Sequence, residues 1–444
     1  MADLVQRAAD ALFMPWVVAL LLGAGLFLTV RTHAVQIRRF ADACRVAFVR
    51  QGRGEGALTP FQAFMTALAA SIGTGNIAGV ATAIVSGGPG ALFWIWIYGF
   101  VATAIKFSEA VLGITFRVAH GGHVLSGPMY YLRDGVGSRG LAGAFALVAA
   151  VAALTTTPFT QPNSMALVLD TALGIPRPVS GVVIAVLTWL VIIGGITSIG
   201  RAAARLSPLK VGLYLAGGLV VMLSNIAQLP RVLALIVESA FSMQAAAGGG
   251  LGILVAMRYG IARGIYANEA GYGTAAVAYG TAQSRQPVQQ GLNAVMEIFI
   301  VSFVTSTISA MTILLTGAWQ SGLTSTAAVG AAFDSVMPAV GGWIVAFCTF
   351  LFGYTTLIGW AYYGEQFFEY VLGRRVTVPY RWIFCLLIPF GAVSRVEVVW
   401  AWGDLMNALQ IFPNLVGLLV LSGVAAAAAR TPIADRSSGE APSR

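Results

Sequence analysis

The chain has 444 residues, of which 58% are hydrophobic and 10% are charged, and its mean hydropathy is +0.81. About a quarter of the residues in a soluble globular protein are charged, so this composition excludes an ordinary soluble protein and predicts one that lives in a membrane. The 26 Lys and Arg residues exceed the 17 Asp and Glu residues, which gives a net charge of +9. In a membrane protein such an excess reports topology first, and we expect no nucleic-acid partner.

Eleven apolar stretches approach the length of about 20 residues that a helix needs to cross a bilayer. They cover residues 14–30, 62–86, 90–116, 141–158, 179–199, 207–226, 230–257, 290–317, 341–364, 381–394 and 403–429. The first stretch is not a signal peptide, because Asp3 and Asp10 offset Arg7 and no small-residue cleavage site follows it. The pattern therefore predicts an all-α polytopic membrane protein with eleven spans.

The basic residues are distributed unevenly between the two sets of loops that these spans define. One set holds 21 of the 26 Lys and Arg residues, with Lys210 counted among them, the opposite set holds four, and Lys106 lies inside a span. Because cytoplasmic loops carry the basic excess, we expect a multi-pass protein of the cell (inner) membrane with its N-terminus outside and its C-terminus in the cytoplasm. The tail 430–444 is rich in Ser, Pro and charge, and is predicted to be disordered.

Three cysteines, Cys44, Cys348 and Cys385, are far apart in the chain. This number and spacing give neither a disulfide framework nor a zinc site. We therefore expect no transition metal and interpret the cysteines as small packing residues.

Two spans contain glycine-rich interruptions in corresponding places. Span 2 has the sequence SIGTGN over residues 71–76, and span 7 has AAAGGGLG over residues 245–252. A pair of broken helices five spans apart is typical of transporters built from inverted repeats. This predicts repeats over residues 59–228 and 229–429, preceded by an additional helix and a basic loop in residues 1–58. Close helix packing remains an alternative role for the glycines of span 7.

Broken helices at membrane depth suit a zwitterion and a cation. Amides at a half-helix N-terminus attract a carboxylate, and carbonyls freed from helical hydrogen bonds attract an alkali ion. An enzyme is disfavoured, since the chain has no HExxH metal motif and its glycine run at residues 87–90 lacks the Lys and Ser or Thr of a phosphate loop. A cation or small-solute channel remains an alternative, but it requires a charged or carbonyl ring around a continuous pore.

Five motifs resemble one known family, the alanine or glycine:cation symporters (sodium:alanine symporters) of the amino acid-polyamine-organocation superfamily. The resemblance runs from about Thr59 to Ser422. The motifs are GGPGALFWIW over residues 87–96, GTGNIAGVATAI over 73–84, SGPMYYL over 126–132, RGIYANEAGYGTA over 263–275 and GWAYYGE over 359–365.

The resemblance implies the leucine-transporter fold, with five-plus-five inverted repeats after one extra N-terminal helix. It also implies a symporter that imports small neutral amino acids, chiefly alanine and glycine, and is driven by sodium or by protons. No cofactor beyond the coupling ion is expected. Another amine or amino acid substrate remains open.

The resemblance also assigns a substrate site at the two breaks. Gly73, Thr74 and Gly75 are similar to the unwound segment whose amides hold the substrate carboxylate, and Asn76 resembles the side chain near substrate and ion. The substrate ammonium group is expected on carbonyls of span 7, with Gly248 the first candidate.

A sodium site is implied beside the first break. The resemblance assigns the carbonyls of Ala69 and Ile72 and the hydroxyls of Thr355 and Thr356 as its ligands. Read without the family, two adjacent threonines in an apolar helix can instead bond back to carbonyls of their own helix.

Two further residues are substrate-site candidates. Gln161 belongs to a segment that is similar to the family's Gln-x-Asn-Ser motif, although Pro162 could simply mark a helix end. Trp360 lies about one helical turn beyond Thr356 and could close the pocket to large side chains. Its alternative role is that of an aromatic residue at the membrane interface.

Charged residues within the predicted spans and next to them give three more expectations. Lys106 and Glu109 are three residues apart and are expected to pair on one helical face. Glu269 is expected on the cytoplasmic side, in an inner gate or a structural contact. Relatives commonly have Asp-Thr where this chain has Ile298 and Phe299, with Glu297 one position earlier, which predicts a displaced or lost carboxylate.

Overall fold

The computed structural model describes residues 16–50, 54–120, 123–243 and 252–433. Within these ranges the chain is almost entirely helical, with one short antiparallel hairpin formed by β1 (Val118–His120) and β2 (His123–Leu125). The helices of the first half are α1 (Val18–Arg31), α2 (Val35–Arg38), α3 (Phe40–Val46), α4 (Pro60–Ser71), α5 (Ala78–Gly87), α6 (Ala91–Thr115), α7 (Pro128–Asp134), α8 (Arg139–Thr155), α9 (Thr157–Leu173), α10 (Arg177–Ile192) and α11 (Gly195–Ser224).

The second half has the same character. Its helices are α12 (Leu229–Ala240), α13 (Gly252–Asn268), α14 (Thr274–Gly280), α15 (Pro287–Ile298), α16 (Ser306–Leu315), α17 (Ser325–Asp334), α18 (Gly341–Leu372), α19 (Thr377–Val393), α20 (Val396–Val420) and α21 (Ser422–Arg430). A π-helical segment, Phe299–Thr305, joins α15 to α16, and 3-10 turns lie at Thr74–Asn76, Ile226–Gln228, Ala318–Gln320 and Arg374–Val376.

The described chain contains seven helical segments that are long and apolar enough to cross a membrane, or eight if the bent pair Pro60–Ser71 and Thr74–Gly87 is one span. The protein is thus an all-helical polytopic membrane protein. Two predicted spans correspond to shorter apolar helices, α1 with 14 residues and α10 with 16. Span 7 corresponds to α12 and α13, on either side of residues that lie outside the described ranges. The count of eleven therefore stays a prediction.

Span 2 is broken where the sequence predicts. Helix α4 begins at a capping box, in which the Thr59 hydroxyl accepts from the Gln62 amide and the Gln62 side chain accepts from the Thr59 amide. It ends at Ser71, and the chain bends by 63° between Pro60–Ser71 and Thr74–Gly87. Glycines at positions 73 and 75 allow this unwinding at low steric cost.

Span 4 is longer than predicted. The helical segment runs from Arg139 to Leu173, and Pro162 lies inside α9, so the alternative in which it ends a helix is wrong. Neighbouring helices in a membrane protein can satisfy the backbone carbonyl that a proline leaves without its donor. The extension places Gln161 on a helix within the protein.

The expected break in span 7 and the expected disordered tail cannot be compared with the structure in full. Residues 244–251, which include Gly248, and residues 434–444 lie outside the described ranges. Within the tail, the described part continues as helix α21 up to Arg430.

Candidate functional site

The break of span 2 opens on a small cavity in the protein interior. Its volume is about 20 Å³. The lining residues come from α4, α9, α13, α18, α20 and the turns beside them, and they are Ala70, Ser71, Gly73, Gly75, Asn76, Thr156, Thr157, Gln161, Tyr266, Glu269, Tyr272, Thr356, Trp360 and Asn407.

Most of the predicted substrate residues meet at this cavity. Gly73, Gly75, Asn76, Gln161 and Trp360 all line it, although they lie as far apart as 287 positions in the sequence. Trp360 is 3% exposed and contacts the cavity, so its alternative placement at the membrane interface is wrong. Gly248 is outside the described residues.

Thr74 reaches the same site through its polar atoms. Its amide donates to Gln161 Oε1 at 3.2 Å and its hydroxyl donates to the same oxygen at 3.0 Å. A backbone N–H just after the break is therefore directed at a side-chain acceptor in the cavity. This is the geometry that a substrate carboxylate could also satisfy.

Asn76 links the break of span 2 to helix α16 through hydrogen bonds. Its Nδ2 donates to the Ser71 carbonyl at 3.0 Å, and its own carbonyl accepts from the Ser309 hydroxyl at 2.6 Å. The Ser306 hydroxyl lies 3.5 Å from Asn76 Oδ1. The side chain is fully buried, so a polar network rather than solvent holds its orientation.

Space around the two glycines of the break is tight. A Cβ atom on Gly75 would lie 2.6 Å from the Tyr266 ring, and one on Gly73 would lie 2.7 Å from Thr356 Oγ1. Real Cβ atoms do not approach other heavy atoms so closely. These glycines therefore allow the backbone to pack directly against cavity side chains.

Glu269 is part of the cavity wall, and its expected position on the cytoplasmic side stays a prediction. It is 5% exposed, its Oε1 accepts from Trp360 Nε1 at 2.7 Å, and its Oε2 accepts from the Thr274 hydroxyl at 3.1 Å. The residue adopts a left-handed φ of 55°, which is uncommon for a residue other than glycine. Two hydrogen bonds thus hold a carboxylate beside the cavity.

The residues of this part of the wall were not among the predicted site residues, because they lie beyond the predicted end of span 7. Helix α13 continues to Asn268, eleven residues beyond the predicted end at residue 257. Tyr266, Glu269 and Tyr272 of the motif RGIYANEAGYGTA therefore lie beside the break of span 2. The motif itself was the available signal, since residues 266–272 contain four polar or aromatic side chains.

The four predicted cation ligands also come together. Thr356 Oγ1 donates to the carbonyls of Ala69, at 3.2 Å, and of Ala70, at 2.8 Å. Thr355 Oγ1 lies with the carbonyls of Ala69 and Ile72 around one point, and the Lys210 ammonium group occupies that point. A sodium ion and this ammonium group cannot both be there, because two positive charges would lie within a few ångströms of each other in the buried interior.

Lys210 was predicted to lie in a basic cytoplasmic loop, and this prediction is wrong. It belongs to α11 and is 0% exposed. The predicted span 6, residues 207–226, already contained this position, but the loop count assigned its charge to the preceding loop; the helix itself begins earlier, at residue 195. Removing Lys210 from the loop count leaves the strong basic bias between the two sets of loops in place.

A second buried ammonium lies at the other side of the break. Lys106 pairs with Glu297 at 3.2 Å, and both side chains are almost fully buried. Lys106 Nζ also donates to the Asn268 carbonyl at 2.8 Å. Glu297 accepts from the hydroxyls of Ser71 and of Tyr279, the latter at 2.8 Å.

The expected pair between Lys106 and Glu109 does not form. Glu109 Oε1 instead accepts from the amides of Gly271, at 2.9 Å, and Gly273, at 3.0 Å, and from Asn414 Nδ2 at 2.8 Å. The two side chains are three residues apart on one helix, but Glu109 takes its partners from the turn between α13 and α14 and from α20. Glu297 is thus the acidic partner that the helical spacing could not identify.

The described residues offer no cluster of three His, Cys, Asp or Glu side chains that could hold a metal ion. The polar groups at the break are carbonyl, hydroxyl, amide and carboxylate oxygens. Such hard oxygen donors suit alkali and other hard cations and not a soft transition metal.

Comparison with known proteins identifies the family. The model of the sodium:alanine symporter family matches residues 1–444. The chain belongs to the sodium:alanine symporter family. It is therefore a sodium-coupled amino acid symporter of the membrane and not an enzyme, as the sequence resemblance predicted.

Individual relatives agree with this assignment, and a solved structure shares the fold. The chain is 39% identical over 433 residues to the sodium/alanine symporter AgcS of Methanococcus maripaludis, covering 95% of each chain. It is 34% identical over 444 residues to the probable sodium/glutamine symporter GlnT of Bacillus subtilis, covering 99% of this chain and 92% of that one. A manganese transporter of Eremococcus coleocola shares the fold, with a TM-score of 0.57 and 16% identity over 80% of this chain and 76% of that chain.

Proposed function

We propose that this symporter imports small neutral amino acids, chiefly alanine and glycine, together with sodium, by alternating access. The observation that carries the proposal is the Thr74 amide, which follows the break of span 2 and donates to an acceptor in the cavity. In the proposed complex, the substrate carboxylate accepts from the Thr74 and Gly75 amides. Its ammonium group is held by carbonyls near Gly248 of span 7.

The proposed architecture is the leucine-transporter fold, with eleven spans. Repeats cover residues 59–228 and 229–429 after one additional N-terminal helix. Its support is the bend of 63° in span 2 and the division of span 7 into α12 and α13, since paired broken helices are what inverted repeats of this kind require. The N-terminus is proposed outside and the C-terminus in the cytoplasm, on the strength of the basic loops.

The cavity wall supports a preference for small side chains. Trp360, Tyr266 and Tyr272 line a space of about 20 Å³, little more than the volume that one water molecule requires. A methyl side chain needs far less adjustment of these rings than a side chain of several carbons. We therefore expect alanine and glycine to be preferred over glutamine, the substrate in the name of one relative.

The oxygen cluster of Ala69, Ile72, Thr355 and Thr356 is proposed as a cation site. Its carbonyls belong to the end of α4, directly before the break, and its hydroxyls belong to α18. A cation here would hold the two elements together and order the break that binds the substrate carboxylate. A ligand shifts the equilibrium between outward-open and inward-open states only through its different affinity for the two.

Uptake of labelled alanine into proteoliposomes tests the proposed function. Uptake should saturate with alanine and should collapse when choline replaces the inward sodium gradient. A flux that rises linearly and ignores the gradient would instead establish a channel. Competition by glycine, D-alanine and glutamine, run in both buffers, then ranks the substrates.

A further inference from the structure

Lys210 projects from α11 into the proposed cation site and meets its oxygen atoms directly. Its ammonium donates to the carbonyls of Ile72, at 2.6 Å, and Ala69, at 3.2 Å, and to the hydroxyl of Thr355. The side chain is fully buried. These acceptors are three of the four oxygens that the sequence assigned to a sodium ion.

Each N–H donor of the Lys210 ammonium group has an acceptor. A lysine ammonium group has three N–H donors, and three protein oxygens surround it here. The Phe352 ring lies 5.2 Å from Nζ, which adds a cation–π contact. Burial of a charged lysine is costly unless its donors are satisfied, and this cluster satisfies them as it would satisfy an alkali ion.

The acceptors belong to the elements that a transported cation would have to hold. Ala69 lies in α4, Ile72 is the residue at which α4 ends, and Thr355 lies in α18. Lys210 therefore bridges the broken span to α18 from a third helix. The hydrogen bonds of its ammonium group join these elements.

We propose that the Lys210 ammonium group is a tethered cation that competes with sodium for this site. This inference rests on the proposed function, because it concerns the same four oxygens. Sodium enters the cluster only after the Lys210 side chain has withdrawn from it. The sodium requirement of the site is thus set partly by the release of a lysine that belongs to the protein.

The competition predicts that removal of the charge improves sodium binding. Lys210→Met keeps a long apolar side chain but has no ammonium group, so the carbonyls of Ala69 and Ile72 lose their donor. In choline chloride this variant should unfold at a lower temperature than the wild type. Sodium chloride at matched ionic strength should restore it, with half of the effect at a sodium concentration at least tenfold below that needed by the wild type.

Two further variants separate this site from other sodium sites. In Lys210→Met combined with Thr355→Ala, the gain in sodium affinity should disappear, because one oxygen ligand has been removed. Tyr214→Phe is the matched control: Tyr214 is buried on the same helix one turn further on, and its hydroxyl pairs with Ser309. Its sodium response should equal that of the wild type.

The outcomes are distinguishable from failure of the proposed function. Sodium-driven alanine uptake by the wild type tests that function, whereas the sodium titration of unfolding tests the competition. If the wild type transports but Lys210→Met needs as much sodium as the wild type, the competition is wrong. The same holds if the gain survives Thr355→Ala. Should Lys210→Met fail to fold, Lys210→Gln is titrated in its place, since its amide can still donate to the carbonyls without a charge.

Discussion

Charged side chains at membrane depth are costly, and the buried pair of Lys106 and Glu297 is held by groups from several helices. Lys106 contacts Glu297 of α15 and the carbonyl of Asn268 at the end of α13. Ser71 at the break of span 2 donates to the same glutamate. This cluster therefore links the first break to the end of α13, and it has no charge left uncompensated.

Neutralising one partner of this ion pair should strongly destabilise the protein. Glu297→Gln removes the ion-pair partner of the buried Lys106 ammonium group, and breaking a buried pair in this way typically costs about 3–5 kcal/mol. The measurement is the unfolding temperature in detergent, compared with that of the double variant Lys106→Met with Glu297→Gln. The double variant should recover much of the loss, and a single variant as stable as the wild type would show that the pair contributes nothing.

Gln161 and Asn163 lie two residues apart on α9 but have different surroundings. Gln161 lines the cavity and accepts from Thr74, whereas Asn163 donates to the carbonyls of Gly391, at 3.1 Å, and Ser394, at 2.8 Å. The family motif contains both residues. Only the folded structure separates the one at the cavity from the one that joins α9 to α19.

Gln161→Ala should raise the KM for alanine by about tenfold, which corresponds to roughly 1.4 kcal/mol and to the loss of about one hydrogen bond. The reason is that the amide of Thr74 loses the group that directs it toward the cavity. Initial rates of labelled alanine uptake give the KM. Asn163→Ala is the control, and it should lower stability without a comparable change in KM; equal KM changes in both variants would remove Gln161 from the substrate site.

At the scale of the elements, the numerous glycines have two roles. Some lie where helices approach closely: a Cβ on Gly90 would lie 2.3 Å from the Ala240 amide nitrogen, and one on Gly113 would lie 2.4 Å from the Ala276 carbonyl oxygen. Others, Gly73 and Gly75, allow the break. Small residues at helix crossings are a general device of membrane proteins, so composition alone cannot say which glycine serves which role.

The family signature at residues 87–96 joins two elements around one such glycine. The Gly90 amide donates to the Ser239 hydroxyl at 3.0 Å, and Trp94 Nε1 donates to the Ala240 carbonyl at 3.2 Å. The start of α6 is therefore hydrogen-bonded to the last turn of α12. Helix α12 is the segment that precedes residues 244–251, where the sequence predicts the break of span 7.

Gly75→Ala should abolish alanine uptake while most of the protein still folds. The added Cβ would lie 2.6 Å from the Tyr266 ring, so either the break or the ring must move within the cavity. Uptake and detergent stability are measured together. Gly143→Ala in α8 is the control, since a Cβ there has no neighbour within 4 Å and alanine favours a helix by about 1 kcal/mol over glycine. Normal uptake by Gly75→Ala would contradict the proposed role of the break.

At the scale of the whole molecule, the length of an apolar helix alone does not establish whether it crosses the membrane. Helices α1 and α10, with 14 and 16 residues, fall below the length of a full span. The predicted alternation of basic loops assigns each of them a membrane crossing. Topology is therefore the property to measure directly.

Cys44 provides a natural probe of topology. It is exposed on α3, in the loop after span 1 that is predicted to be cytoplasmic, whereas Cys348 and Cys385 are buried. A membrane-impermeant maleimide should label inside-out vesicles and not intact cells, and Cys44→Ser should remove the label.

The opposite face needs its own probe. Ser321 is exposed in the loop before α17, which the eleven-span count places outside. Ser321→Cys in the Cys44→Ser background should be labelled in intact cells. Labelling of both positions from the same side would contradict the count.

The sequence by itself determined the class of protein, the family and the break in span 2. These follow from composition, from contiguous motifs and from glycines next to each other in the chain, all of which are local signals. The predicted residues Gly73, Gly75, Gln161 and Trp360 could be chosen in this way, and the structure brings them to one cavity.

Only the tertiary structure decided the partners of the buried charges. Helical spacing predicted that Lys106 pairs with Glu109, but the fold brings Glu297 to it from 191 positions away. It likewise moves Lys210 from a supposed loop into the proposed cation site. The reason is physical: a buried ammonium group takes the oxygen atoms that packing places around it, and packing joins residues that are distant in the chain.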